Sequence, residues 1–121
     1  MSGNELIDKK FQKELNSGTA SLVLLAVLDQ AVEPMYGYQI AKMLDAGGDD
    51  VPIKQGAMYP VLRSLEDGGL LDSEVEPSVT GPPRRYYRIT DSGRQTLGQW
   101  VEIWKRTRAF VDSSLEGRDS E

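Results

Sequence analysis

Two segments of this 121-residue chain read as short strands. They are 70–75 and 84–89, and in the second Arg85, Tyr87 and Ile89 alternate with Arg84, Tyr86 and Arg88. The segment between them, 76–83, holds three prolines and one glycine, which makes a stiff exposed loop rather than a tight turn. A lone pair of strands is marginal in water, so this hairpin must lie on helices. Tyr86 and Tyr87 point to opposite sides of their strand, so one of them faces the core. The fold class this implies is mainly α with a small β part, an α+β arrangement.

The helices are read from apolar spacing. Leu6, Ile7, Phe11 and Leu15 form a stripe on a helix over 6–15. Asn16-Ser17-Gly18-Thr19 reads as a break, with Ser17 or Thr19 capping a buried helix over 21–30. Residues 33–35 read as a turn. Gly37, Ile40, Ala41 and Leu44 mark one face of a short helix that ends before Gly47-Gly48. A connector over 49–53 leads to a helix over 54–67, with Met58, Val61, Leu62 and Leu65 inward and Pro60 near its start. Gly68-Gly69 stops it. Thr90 caps a last helix running to about residue 115, and 116–121 reads as a disordered polar tail. Three helices closed by a hairpin, over about 19–89, are the layout of a winged helix-turn-helix. The expected organisation is an N-terminal helix over 1–17 in a dimer contact, a DNA-binding domain over 18–90 and a C-terminal dimerisation helix over 91–115.

With neither Cys nor His, the chain has no disulfide, no thiolate zinc site, no imidazole base and no cysteine nucleophile. It also lacks a glycine-rich phosphate loop and a cluster of carboxylates on one helical face. The reading is a non-enzyme without metal or cofactor. The start lacks the features of a secretory signal, and the longest apolar run, 22–28, falls well short of the roughly 20 residues a membrane helix needs. A cytoplasmic protein with no membrane partner is expected.

The net charge of −5 is unusual for a protein that binds nucleic acid, but charge is unevenly spread. Residues 51–65 contain Lys54 and Arg63 and no acid, and residues 77–90 contain Arg84, Arg85 and Arg88 and no acid. A basic face on an acidic body can still contact phosphates. Gln55, Tyr59 and Arg63 are spaced by four and line up opposite the inward residues. Gln pairs with adenine, Arg with guanine, and Tyr reaches a phosphate or a thymine methyl. Lys54 adds a cation at the helix start, and Gly56 lets the backbone amides approach a phosphate closely. On the last helix, Leu97, Val101, Trp104, Val111 and Leu115 repeat near three and four, Arg108 interrupts them, and Trp100, Ile103 and Phe110 widen the apolar surface. So broad a surface needs a partner, and the Phe11 stripe of a second copy is the natural one.

Several motifs resemble the PadR-like transcriptional regulators. They are Tyr36-Gly37-Tyr38-Gln39-Ile40, then Gly56-Ala57-Met58-Tyr59-Pro60-Val61-Leu62-Arg63-Ser64-Leu65-Glu66, then Gly69-Leu70-Leu71, then Gly81-Pro82-Pro83-Arg84-Arg85-Tyr86-Tyr87-Arg88-Ile89-Thr90 and Gly93. The resemblance covers roughly residues 18–104. The single C-terminal helix is similar to the smaller subclass. The resemblance implies a homodimeric repressor on a pseudo-palindromic duplex. It places Gln55, Gly56, Tyr59 and Arg63 on the recognition helix, Arg84 and Arg85 on the wing, and Tyr36 beside the DNA backbone. It also implies, for some members of the subclass, a planar aromatic effector stacked between two copies of the tryptophan at the position of Trp104. Two other readings remain from the residues: a winged-helix protein–protein adaptor, which the acid-free stretches oppose, and a MarR-like regulator, which the tyrosine-rich motifs oppose.

Overall fold

The computed structural model describes residues 3–48 and 53–119. The elements run α1 Gly3–Gln30, β1 Met35–Tyr36, α2 Gly37–Asp45, α3 Gln55–Asp67, β2 Leu71–Glu76, β3 Arg84–Ile89 and α4 Asp91–Asp119. The three strands form one antiparallel sheet in the order β1-β3-β2. Mostly helical, with this small sheet closing three helices, the chain has the winged-helix architecture expected. The connector's residues 49–52 lie outside the described residues.

The core joins α1, α2, α3 and the inner face of the hairpin. Leu24, Leu25, Ile40, Met58, Leu62 and Leu71 are its fully buried members, so the apolar run 22–28 is a buried helix. Tyr87 is the tyrosine that turns inward, beside Ile89. Among the described residues, no helix is long and apolar enough to cross a membrane.

The break expected at 16–19 is absent, because α1 continues through it. The polar side chains there are satisfied within the helix. Gln12 Nε2 donates to Asn16 Oδ1 at 2.8 Å, and Thr19 Oγ1 donates back to the Leu15 carbonyl at 3.1 Å. Gly18 costs about 1 kcal/mol relative to alanine, too little to stop a helix whose next three turns are buried. A domain boundary at 17/18 therefore runs through one helix. Residues 33–35 are not all turn: Met35 and Tyr36 pair with Tyr87 and Tyr86 as a third strand.

The tail expected from residue 116 is helical as far as Asp119, and 120–121 lie outside the described residues. Leu97 is only 8% exposed within its own chain, so it belongs to the core and is not available as a dimer contact. Trp100 and Val101 also pack against that core. Past Val101 every described side chain of α4 is exposed, along about 27 Å of helix. Thr90 caps α4 as expected: its Oγ1 accepts from the Gly93 amide at 2.9 Å and donates to the Gly69 carbonyl at 2.8 Å.

Candidate nucleic-acid interface

The outward face of α3 carries Gln55, Gly56, Tyr59 and Arg63, all exposed, while Met58, Leu62 and Leu65 fix the opposite face in the core. Lys54 is the N-cap, and its carbonyl takes the amides of Ala57 and Met58 at 3.0 and 3.1 Å. The amides of Gln55 and Gly56 stand ahead of that ladder, where a helix start favours an anion. No Cβ atom or neighbour crowds Gly56.

Tyr59 does more than face outward. Its phenol lies on Gly37 at the start of α2, so closely that a Cβ there would sit 2.5 Å from the hydroxyl oxygen. Gly37 therefore lets the ring act as a spacer between α2 and α3. Gln39, a residue that sequence reasoning passed over, caps α2 by accepting the Tyr36 amide at 3.0 Å. The Ser/Thr/Asp/Asn rule could not have found it, because Tyr36 holds the N-cap position.

Arg84 and Arg85 are neighbours in sequence but lie on opposite faces of β3. They stand in the strand, across from Glu76 and Val75, rather than in the loop over 77–83. The Arg84 guanidinium lies 4.5 Å from the centre of the Tyr36 ring. That ring also meets Tyr86 at 5.4 Å and Tyr38 at 6.3 Å, and Lys42 caps the row 5.5 Å from Tyr38. Tyr36 is thus a platform that holds an arginine beside the start of α2. Arg85 turns the other way and donates to Ser73 Oγ at 2.8 Å.

The acid-free stretch 77–90 does not make the hairpin uniformly basic. Asp72, Glu74 and Glu76 of β2 stand across from Arg88, Tyr86 and Arg84. Arg88 reaches Asp72 at 4.0 Å, an exposed pair of little energetic weight that still offsets its charge locally. Tyr87 keeps its proton well into alkaline solution, since burial raises its pKa and nearby Arg85 only partly opposes this.

Of the residues expected at a dimer seam, Phe11 and Trp104 come together with Trp100. With Leu15, Leu22 and Ile103 they line an apolar groove of about 570 Å³ between α1 and α4. Trp104 is 39% exposed there, and Val111 and Leu115 lie beyond the groove on the free part of α4. Glu14 supplies the acid in this groove. Glu102, two residues before Trp104 on α4, pairs with Lys105 at 3.7 Å.

Residues 24–99 match the family model described as the transcriptional regulator PadR-like family. A PadR family transcriptional regulator from Eggerthella lenta is 35% identical, with a TM-score of 0.80 over 93% of this chain and 96% of that one. A PadR-like regulator from Bacillus cereus is 27% identical, with a TM-score of 0.69 over 85% of this chain and 97% of that one. A 45-residue stretch, 37% of this chain and 41% of that protein, is 47% identical to transcriptional regulator Rv3488 of Mycobacterium tuberculosis.

Proposed function

The chain belongs to the PadR-like family of transcriptional regulators, and from that premise we propose that it is a homodimeric repressor that reads a pseudo-palindromic duplex. The observation that carries this reading is the single exposed face of α3 bearing Gln55, Tyr59 and Arg63, backed by three buried residues that fix its direction. Two copies related by a two-fold axis would set two such faces about one helical turn of DNA apart, or a multiple of it. Tyr36 and Arg84, stacked beside the start of α2, would take a phosphate flanking the groove.

The test is selection of bound sequences from a randomised duplex pool, followed by titration of the winner. Arg63→Ala should cost about 1–3 kcal/mol on that duplex and relax the preference at one position. Since Asp72 offsets Arg88, four cations per subunit remain: Lys54, Arg63, Arg84 and Arg85. A dimer should then show a log–log salt slope no steeper than about −7. Enrichment of no sequence would favour the protein–protein adaptor, a reading that the acids of β2 support.

The groove beside Trp104 supports a small-molecule effector as the second element of the proposal. Indole faces and one carboxylate suit a planar aromatic cation. Because Trp100 lines the same groove, emission must be read from Trp104 alone. In Trp100→Phe protein, a planar cationic dye at about 10–50 micromolar should quench the remaining emission. If emission stays constant across such dyes, Trp104 is a packing residue.

A further inference from the structure

Between the exposed face of α3 and the hairpin lies a polar cleft of about 550 Å³, lined by Tyr59, Arg63, Glu66, Asp67, Arg85 and Tyr87. One hydroxyl bridges it. Ser73 Oγ donates to Glu66 Oε2 at 2.6 Å and accepts from an Arg85 guanidinium nitrogen at 2.8 Å. We propose that Ser73 is a positioning residue, which locks the wing to the end of the recognition helix so that Arg63 and Arg85 meet one DNA half-site in a fixed relation. This rests on the duplex-reading function proposed above and adds the part that sets its geometry.

The chemistry suits the role. A serine hydroxyl has one proton to give and lone pairs to receive, so it can join a carboxylate to a guanidinium that do not themselves meet. Both of its bonds involve a charged partner, which makes them shorter and stronger than neutral ones. Arg85 has five N–H donors, and with one held by Ser73 the others remain for a phosphate.

The position suits it too. The base of the hairpin is already fixed, since Leu70 donates to the Leu65 carbonyl at 2.9 Å and receives the Thr90 amide at 3.1 Å. Ser73 stands about 10 Å further along β2. Beyond it Glu74, Val75 and Glu76 are all exposed; the Tyr36 ring holds Tyr86 and Arg84 on the other face, and on the side of α3 the outer hairpin has no apolar packing to set its angle. Outside its two-residue pairing with β1 the hairpin is a two-stranded ribbon, which twists readily, and the Glu66–Ser73–Arg85 relay ties it to α3 at mid-length.

The experiment compares Ser73→Ala, Ser73→Thr and wild type in two readouts. The first is binding to the duplex selected by wild type and to a scrambled duplex. The second is the distance between spin labels at Ser64→Cys on α3 and Thr80→Cys in the loop, with labelled chains diluted in unlabelled protein. Native cysteines do not interfere, because the chain has none. Ser73→Ala should weaken the selected duplex about tenfold, leave the scrambled duplex unchanged and broaden the distance distribution. Ser73→Thr should restore both. Unchanged distances in Ser73→Ala would overturn the lock. Broadened distances with full selectivity would overturn its role in recognition, and equal loss on both duplexes would make it a general stability effect. If wild type enriches no sequence, the duplex-reading function fails and the role in recognition fails with it, while the label distances still decide whether the lock exists.

Discussion

A chain ending at Thr107 should fold, should dimerise at least a thousandfold more weakly, and should lose most of its operator affinity. The last side chain of α4 packed on the core is Val101, and the groove against α1 ends at Thr107. What the deletion of 108–121 removes is Phe110, 75% exposed, with Val111 and Leu115, and one exposed Arg108–Asp112 pair at 3.6 Å. The pair is worth under about 1 kcal/mol. The three apolar side chains are not part of the monomer's core. Each would gain about 1.5–3 kcal/mol on full burial, and a two-fold interface counts them twice. Half of that gain already exceeds the roughly 4 kcal/mol that a thousandfold change requires. Sedimentation at micromolar concentration reads the assembly, and anisotropy reads the duplex. A short chain that stays dimeric there would place the interface elsewhere. A cut after Ser92 cannot serve, because it also removes Leu97 and the support of Trp100 and Val101, and the domain itself would fail.

The parts of the fold legible in the sequence were those whose signals are local. Gly68-Gly69 ends α3 where glycines should end a helix, and the alternation in 84–89 requires one of Tyr86 and Tyr87 to face inward, which Tyr87 does beside Ile89. The errors share one cause, which is partners distant in sequence. Asn16 to Thr19 carry break-like residues, yet the following turns of α1 bury Ala20, Leu24 and Leu25 and hold the helix through them. Two residues of β1 carry no periodicity, and they are a strand only because Tyr86 and Tyr87 lie beside them. Apolar spacing on α4 could not tell Leu97, buried in its own domain, from Val111, which is not.

The candidate interface was legible to the same extent. A helical period of four is enough to align Gln55, Tyr59 and Arg63. The separate fates of Arg84 and Arg85 are not visible along the chain. One depends on a ring in β1 and the other on a hydroxyl in β2. Counting charges along 77–90 also missed the acids of β2, which antiparallel pairing brings directly opposite. Cross-strand neighbours act on one another as strongly as helical i,i+4 pairs, so a hairpin's charge has to be counted across its ladder.

Gly93→Ala should destabilise the fold by about 3 kcal/mol or more, while Gly98→Ala, further along the same helix, should be neutral or stabilising. A Cβ on Gly93 would overlap the Leu70 carbonyl oxygen, and it would also lie 2.7 Å from Ile89 Cγ1. Neither neighbour can yield. The Leu70 carbonyl is held by the Thr90 amide at 3.1 Å, and Ile89 is buried in the core. At Gly98 a Cβ meets nothing within 4 Å, so alanine there gains helix propensity at no steric cost. Thermal melting of the two variants provides the comparison, with Gly93→Ala expected to melt about 10 °C or more below wild type. Equal melting would mean that α4 can slide at its start without consequence. Under the proposed function the contact would matter for regulation as well as stability. Thr90 and Gly93 fasten the first turn of α4 to Gly69 and Leu70, the residues that follow α3. The free part of α4 carries the proposed dimer surface, so this junction is where dimer geometry would pass to the recognition helix. An effector between two copies of α4 can loosen DNA a hundredfold only by favouring a different arrangement by about 2.7 kcal/mol. A rigid junction transmits that difference to α3, and a strained one dissipates it. A partly folded Gly93→Ala protein should therefore lose duplex selectivity, while Gly98→Ala retains it.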